Sequence, residues 1–295
     1  MGAHAISAIA KCRAEVVGTF ILVFFGLGVV HAAVLTGAQA GLWQVAIVWG
    51  VAVMLAIYVV GSISGAHINP AITLALAFWG LFSWRLVIPY ILSQLAGAII
   101  AAAVLFVLFR PFLDAREKQK NITRGGPGSE ITAMCYGEYF PNPGPLSTAE
   151  DLEGKRLLAA LKKSYDKVDE WAAFAAETVG TMLLALVVFS LTDERNLAAP
   201  ASRLAPVFIG LTVAVLISVI APLTQACLNP ARDFGPRLFS YAVGWDEVAI
   251  PGPRGGFFTV YLLAPTLGAL AGGLVYRTVL PPTSPPEEHG RIAIP

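Results

Sequence analysis

The chain has 295 residues, of which 56% are hydrophobic and only 13% charged, and its mean hydropathy is +0.70. That balance excludes an ordinary soluble domain and indicates an integral membrane protein. A formal net charge of +1 predicts no nucleic-acid partner and no strongly polarised partner, and Cys12, Cys135 and Cys227 form neither a metal spacing nor a disulfide framework, so they read as free thiols.

Lys11 and Arg13 precede a long apolar run with no evident cleavage site, which reads as a retained first span and not as a signal peptide. No Asp, Glu, Lys or Arg occurs from Val16 to Trp84, and further uncharged runs cover Leu86–Phe109, Leu204–Ala231 and Gly255–Tyr276. A helix needs about 20 apolar residues to cross the hydrocarbon. Spans are predicted at 12–36, 42–61, 85–109, 171–192, 204–221 and 257–279. Two further segments, 69–79 and 230–241, are too short to cross, because ten helical residues rise only about 15 Å. They can enter the membrane and stop.

Half of the basic residues fall in the link between Arg110 and Glu170, which carries the turn-rich runs Gly125-Gly126-Pro127-Gly128 and Pro141-Asn142-Pro143-Gly144-Pro145 and a polar helical pattern near 149–168. It reads either as a partly ordered cap or as a solvated excursion. Asn121-Ile122-Thr123 fits a glycosylation sequon, a pattern common by chance. The Pro-rich tail, 281–295, reads as disordered. With a cytoplasmic N-terminus, the inner connections hold Lys11, Arg13, Arg85, Arg195, Arg203, Arg277 and Arg291, more than the short outer ones, so both termini are expected inside.

An internal repeat organises these elements. Ala14-Glu15-Val16-Val17-Gly18-Thr19 returns as Ala176-Glu177-Thr178-Val179-Gly180-Thr181, Asn69-Pro70-Ala71 as Asn229-Pro230-Ala231, and Tyr90 with Gly97-Ala98 as Tyr261 with Gly268-Ala269. Three landmarks in one order indicate duplication. Each half holds three spans, so the halves face opposite ways, the inverted design of membrane transport proteins whose broken helices meet at the midplane.

One Asn-Pro-Ala starts many ordinary helices, with Asn as N-cap and Pro at the first helical position. Two copies at mirrored places in an inverted repeat point instead to paired half-helices. An Asn that caps with its carbonyl oxygen leaves amide donors to present to a solute. Glu15 and Glu177 are the only acids inside the spans; they read either as proton or ion relays or as acceptors for backbone N–H groups of the nearby re-entrant loops. The relay reading belongs to an ion-coupled secondary transporter, the alternative function. An enzyme finds no support, since no His-Glu-x-x-His or Gly-x-Ser-x-Gly pattern occurs.

Ser64-Gly65-Ala66-His67-Ile68-Asn69-Pro70-Ala71 together with Asn229-Pro230-Ala231-Arg232-Asp233-Phe234-Gly235-Pro236-Arg237 resembles the major intrinsic protein family, the aquaporins and aquaglyceroporins, over nearly the whole chain. The resemblance implies an all-α membrane fold of six transmembrane helices and two re-entrant half-helices in an inverted repeat. It implies a single channel domain over 1–280, made of repeat one at about 12–109, an outer link at 110–170 and repeat two at about 171–280. It further implies a homotetramer in the lipid bilayer of the cell membrane, with one pore per subunit and no cofactor. Asp233, Arg237 and Tyr139-Phe140-Pro141-Asn142-Pro143 are similar to the glycerol-conducting branch. The family's outer selectivity filter maps onto Trp49, Ile217, Ala226 and Arg232; strict water channels usually place His where Ile217 stands. Ala226 stands where the glycerol facilitator has an aromatic, and Tyr261 departs from that branch's usual Pro, so a Trp/Ile/Ala/Arg set also resembles the plant nodulin-like group. His67 either exposes backbone carbonyls by bonding within its loop or simply packs there. The implied function is a passive channel for glycerol and similar small neutral solutes, with water, that excludes protons and ions.

Overall fold

The computed structural model describes residues 6–280; the expected disordered tail at 281–295 and Arg291 lie outside the described residues. Among the described residues, six helices are long and apolar enough to cross a membrane. Helix α1 (Ala8–His31) continues through a π-helical turn to Thr36, α2 spans Leu42–Ser64, and the half-helix α3 spans Pro70–Phe78. Helix α4 (Trp84–Gln119) is followed by three short helices of the link: α5 (Glu130–Ala133), α6 (Gly144–Thr148) and α7 (Gly154–Tyr165). The second half holds α8 (Glu170–Thr192), α9 (Ala205–Thr224), the half-helix α10 (Pro230–Ser240), the short α11 (Asp246–Ala249) and α12 (Ala264–Thr278), the last preceded by a π-helical segment from Phe257. The six spans and both half-helices match the expected architecture.

Four span boundaries differ by three residues or more, and two of these are the ends of α2 and α9, which each run three residues further, to Ser64 and Thr224. Helix α1 begins at Ala8, where the Ser7 hydroxyl caps the Ala10 N–H. Helix α4 runs to Gln119, ten residues beyond the end expected from hydropathy, with Pro111 inside it. The extension is charged, and Arg124 pairs with it through Asp114 (2.7 Å) and Glu117 (3.0 Å).

The link is an ordered cap, which decides between the two readings. Ile131, Cys135, Tyr136 and Leu157 are fully buried within it. Arg116 Nη2 donates to the Val34 carbonyl (2.8 Å), Lys120 Nζ to the Leu152 carbonyl (3.1 Å), and the Trp245 indole N–H to Thr132 Oγ1 (3.2 Å). The link is therefore tied to both halves of the helical body.

Small residues let the spans approach. A Cβ on Gly97 would lie 2.3 Å from the Val16 carbonyl, and one on its repeat partner Gly268 2.3 Å from that of Thr178, so α1/α4 and α8/α12 cross backbone to backbone. Helices α2 and α9 do the same at Gly50 and Gly210. Each half-helix packs against a long span of the opposite repeat, α3 on α12 and α10 on α4, which interlocks the halves. Trp43 and Trp171 open α2 and α8 at one surface and Trp84 opens α4 at the other; all three are exposed, as expected of indoles in the two interfacial belts.

Candidate functional site: a membrane pore

The two half-helices start head to head. Asn69 and Asn229 hold extended backbone, with φ of −156° and −150°, and each is followed by Pro at the first helical position. Asn69 Oδ1 accepts from the N–H groups of Ala71 (2.9 Å) and Ile72 (3.5 Å), and Asn229 Oδ1 from those of Ala231 (3.0 Å) and Arg232 (3.4 Å). Sequence reasoning expects the amide donors to be left free for a solute, and the structure corrects this. Asn69 Nδ2 donates to the Leu228 carbonyl (2.9 Å) and Asn229 Nδ2 to that of Ile68 (2.8 Å). One hydrogen of each amide thus pins the opposite loop, and one is left for the lumen.

Each loop is held from behind by an acid. Glu15 accepts from Ser64 Oγ (2.6 Å), the His67 N–H (3.0 Å), the Ile68 N–H (2.7 Å) and Gln94 Nε2 (2.8 Å). Glu177 accepts from Thr224 Oγ1 (2.5 Å) and from the N–H groups of Cys227 (2.8 Å) and Leu228 (2.9 Å). Of the two readings of these acids, the geometry matches the loop acceptors. Gly18 and Gly180, one turn on from each acid, leave room for the side chains of Ile68 and Leu228.

These anchors hold strained backbone. Gly65, Ala66 and Ile68 in the first loop, and Gln225, Ala226 and Leu228 in the second, all have positive φ. For a β-branched residue such as Ile68 this is an uncommon conformation that persists only when its surroundings fix it. The carbonyls of Gly65, Ala66, His67, Ala226 and Cys227 accept no bond within the protein among the described residues, and these residues line the lumen. His67 reaches from its loop to the first turn of α3, Nδ1 to Thr73 Oγ1 (3.2 Å), and packs against Phe82 and Tyr90.

The lumen is one cavity of about 960 Å³ that reaches from Trp49 and Arg232 past both Asn residues to Ser202 and Arg203. Its wall is two-sided. Leu22, Val53, Ile57, Leu184, Ile209 and Val213 give an apolar face, and the loop carbonyls, Asn amides and Arg232 give a polar stripe. All four expected filter residues, Trp49, Ile217, Ala226 and Arg232, lie on this wall. The Arg232 guanidinium lies 4.1 Å from the centroid of the Trp49 ring, and Gly26 supplies the slot that seats that indole.

Arg232 is not an isolated cation. The carboxylate of Glu138, delivered by the link, meets it directly, with Glu138 1% and Arg232 4% exposed. Asp233 and Arg237 pair one turn apart (2.8 Å), as their spacing on α10 allows. That pair also grips the link: Asp233 Oδ1 accepts the Glu138 N–H (2.7 Å), and Arg237 donates to the Glu138 and Ala249 carbonyls. Gln225 Oε1 accepts the Tyr139 N–H (2.8 Å), and Asn142 Nδ2 reaches the Ala221 carbonyl (2.9 Å). Sequence reasoning missed Glu138, Gln225 and Gly26. The available signal for Glu138 was its being the sole acid between Glu130 and Glu150, beside the Tyr-Phe-Pro-Asn-Pro segment.

The model of the family described as major intrinsic protein matches residues 3–276. The chain belongs to the major intrinsic protein family. Among relatives of this family, the glycerol uptake facilitator protein of Haemophilus influenzae is 40% identical over 272 residues, covering 92% of this chain and 94% of that one. The glycerol uptake facilitator protein of Escherichia coli (strain K12) is 38% identical over 271 residues, covering 92% and 88%. The propanediol uptake facilitator of Citrobacter freundii is 38% identical over 272 residues, covering 92% of each. The solved aquaglyceroporin from Plasmodium falciparum shares the fold, with a TM-score of 0.75 at 23% identity over 93% of this chain and 97% of that one.

Proposed function

We propose that this major intrinsic protein is a passive channel for glycerol and related small neutral polyols, with water, and that it excludes protons and ions. The observation that carries the reading is the lumen's mixed lining, apolar side chains together with unpaired loop carbonyls and Asn amide donors. A polyol has the same division, with CH groups on one side and hydroxyls on the other. Its carbons run along Trp49 and Ile217 while its hydroxyls exchange partners along the stripe. The curated relatives named for glycerol and propanediol uptake support the same solute class.

In this account the site residues divide as follows. Trp49, Ile217 and Ala226 set the width and the apolar wall of the filter, and Arg232 donates its fork to solute hydroxyls. Asn69, Pro70 and Ala71, with Asn229, Pro230 and Ala231, build the centre. Glu15, Glu177 and His67 hold the loops, and Asp233 holds the link. The N-terminus of each half-helix carries roughly half a positive charge, which opposes a cation that has also shed its water there; a neutral solute meets neither penalty. The subunit works as a homotetramer in the cell membrane with both termini in the cytoplasm, the side favoured by the basic residues of the short connections.

Purified protein in liposomes should accelerate glycerol-driven reswelling over empty vesicles. A rate no faster than empty vesicles would sink the proposal.

A further inference from the structure

Ser64-Gly65-Ala66-His67-Ile68-Asn69 of the first re-entrant loop corresponds, through the internal repeat, to Thr224-Gln225-Ala226-Cys227-Leu228-Asn229 of the second. Gly65 ends α2 and Gln225 ends α9 with the same left-handed backbone, at φ of +85° and +64°. Glycine takes that conformation without steric cost, and a residue with a Cβ does not. The second half therefore keeps a long side chain where the first half completes the same turn with none. Resting on the channel reading above, we infer that Gln225 is a specificity-positioning residue: its side chain fastens the outer link to the loop that carries Ala226, and so holds the width of the constriction without touching the solute.

Three observations carry this. Gln225 is buried and stands off the lumen wall, while its neighbour Ala226 is on it. Its side chain bridges two points of the link: Oε1 accepts the buried Tyr139 N–H (2.8 Å) and Nε2 donates to the Met134 carbonyl (3.4 Å). A buried main-chain N–H needs an acceptor, so the Tyr139 segment keeps its seat over the filter only while that oxygen is there. Finally, the link is tied a second time at the same turn. Asn142 Nδ2 donates to the Ala221 carbonyl (2.9 Å), the same carbonyl that accepts the Gln225 N–H (3.0 Å).

The first loop explains why only one half carries such a tie. A Cβ added at Gly65 would meet only the His67 ring, at 3.6 Å, so no distant segment lies there to be held. At the outer end the link does lie there, and Gln225 and Ala226, both with positive φ, sit between it and the pore. Backbone of that kind persists only while its surroundings fix it. Releasing the link frees the loop at Ala226, and the constriction then loses its grip on solute width.

The test compares glycerol with pentaerythritol, a neutral tetraol whose four arms radiate from one carbon and which therefore cannot thread lengthwise. Entry of each into proteoliposomes of full-length protein is followed by light scattering. Wild type should pass glycerol and nearly exclude pentaerythritol. Gln225→Gly restores the residue found at the matching place in the first loop, relieves the left-handed backbone and removes the tie. Its pentaerythritol-to-glycerol ratio should rise about fivefold or more, the scale expected when a coupled position is released. Asn142→Ala should move the ratio the same way, and the double variant should add less than the product of the two, because both ties hold one contact. An unchanged ratio in a glycerol-passing Gln225→Gly protein overturns the inference, whatever its thermal midpoint, as does a wild type that passes both solutes equally. Should Gln225→Gly fail to assemble, Asn142→Ala decides, and an unchanged ratio there also overturns it. If wild type passes no glycerol, the channel reading itself falls.

Discussion

Gly26→Ala is the smallest change that should alter the filter without touching the lumen. The added methyl would sit 2.1 Å from Cζ3, 2.2 Å from Cε3 and 2.4 Å from Cη2 of Trp49. Carbon atoms pack at about 3.5–4.0 Å, so the indole must retreat by roughly 1–2 Å. Its other face lies against Arg232, 4.1 Å from the ring centroid, and the lumen is the open side. The constriction then narrows by about the same distance, at an overpacking cost of ~1–3 kcal/mol. Stopped-flow light scattering on proteoliposomes should show glycerol flux falling about tenfold or more, equivalent to about 1.4 kcal/mol in barrier, while water permeability falls much less. An unchanged glycerol-to-water ratio in a folded Gly26→Ala protein would refute both the seating of Trp49 and its role in setting width.

Other consequences are equally specific. Glu177→Gln keeps the shape but turns an acceptor into an NH₂ facing a backbone N–H of the second loop; it should lower stability by ~1–3 kcal/mol and reduce flux, and an unchanged thermal midpoint would count against the loop-holding role. Gly210→Ala would place Cβ 2.4 Å from the Gly50 carbonyl and push α2 from α9, reducing the yield of folded protein, whereas Gly41→Ala, with nothing within 4 Å, should be tolerated. Asp193, in the connection after α8, is held at a pKa of about 2, below its ordinary 3.8, first by the hydrogen bond from Arg195. Its folded value is the lower one, so its contribution is present above about pH 4 and lost as pH falls toward 2. Asp193→Asn should therefore cost little at neutral pH, because Arg195 is exposed and solvent screens the pair. Thermal midpoints of wild type and variant should converge on acidification, and a gap that widens there would contradict the pairing.

The duplication made the fold legible. Two Asn-Pro-Ala copies, two intramembrane acids and two Tyr/Gly-Ala landmarks are local strings that duplication leaves readable, and hydropathy located all six spans. Hydropathy marks the membrane slab and not the end of a helix, which is why α4 runs on through Arg110, Pro111 and Arg116 beyond its expected limit. Glu138 was not legible because its meaning depends on the link folding down onto α10, a contact between residues almost a hundred positions apart. The cross-loop bonds of Asn69 and Asn229 escaped for the same reason: each string describes its own half, and the bonds join the two. Gly26 reads as one more small residue in an apolar helix until Trp49 is seen filling the space beside it.

The central claim is passive permeation through a preformed pore, and the initial rate of glycerol entry into proteoliposomes, measured over a wide concentration range with and without proton and sodium gradients, tests it most directly. The account predicts a rate that rises linearly with concentration and is unchanged when the gradients are collapsed. Saturation at low concentration together with loss of uptake on collapsing a gradient would contradict it and identify an ion-coupled transporter.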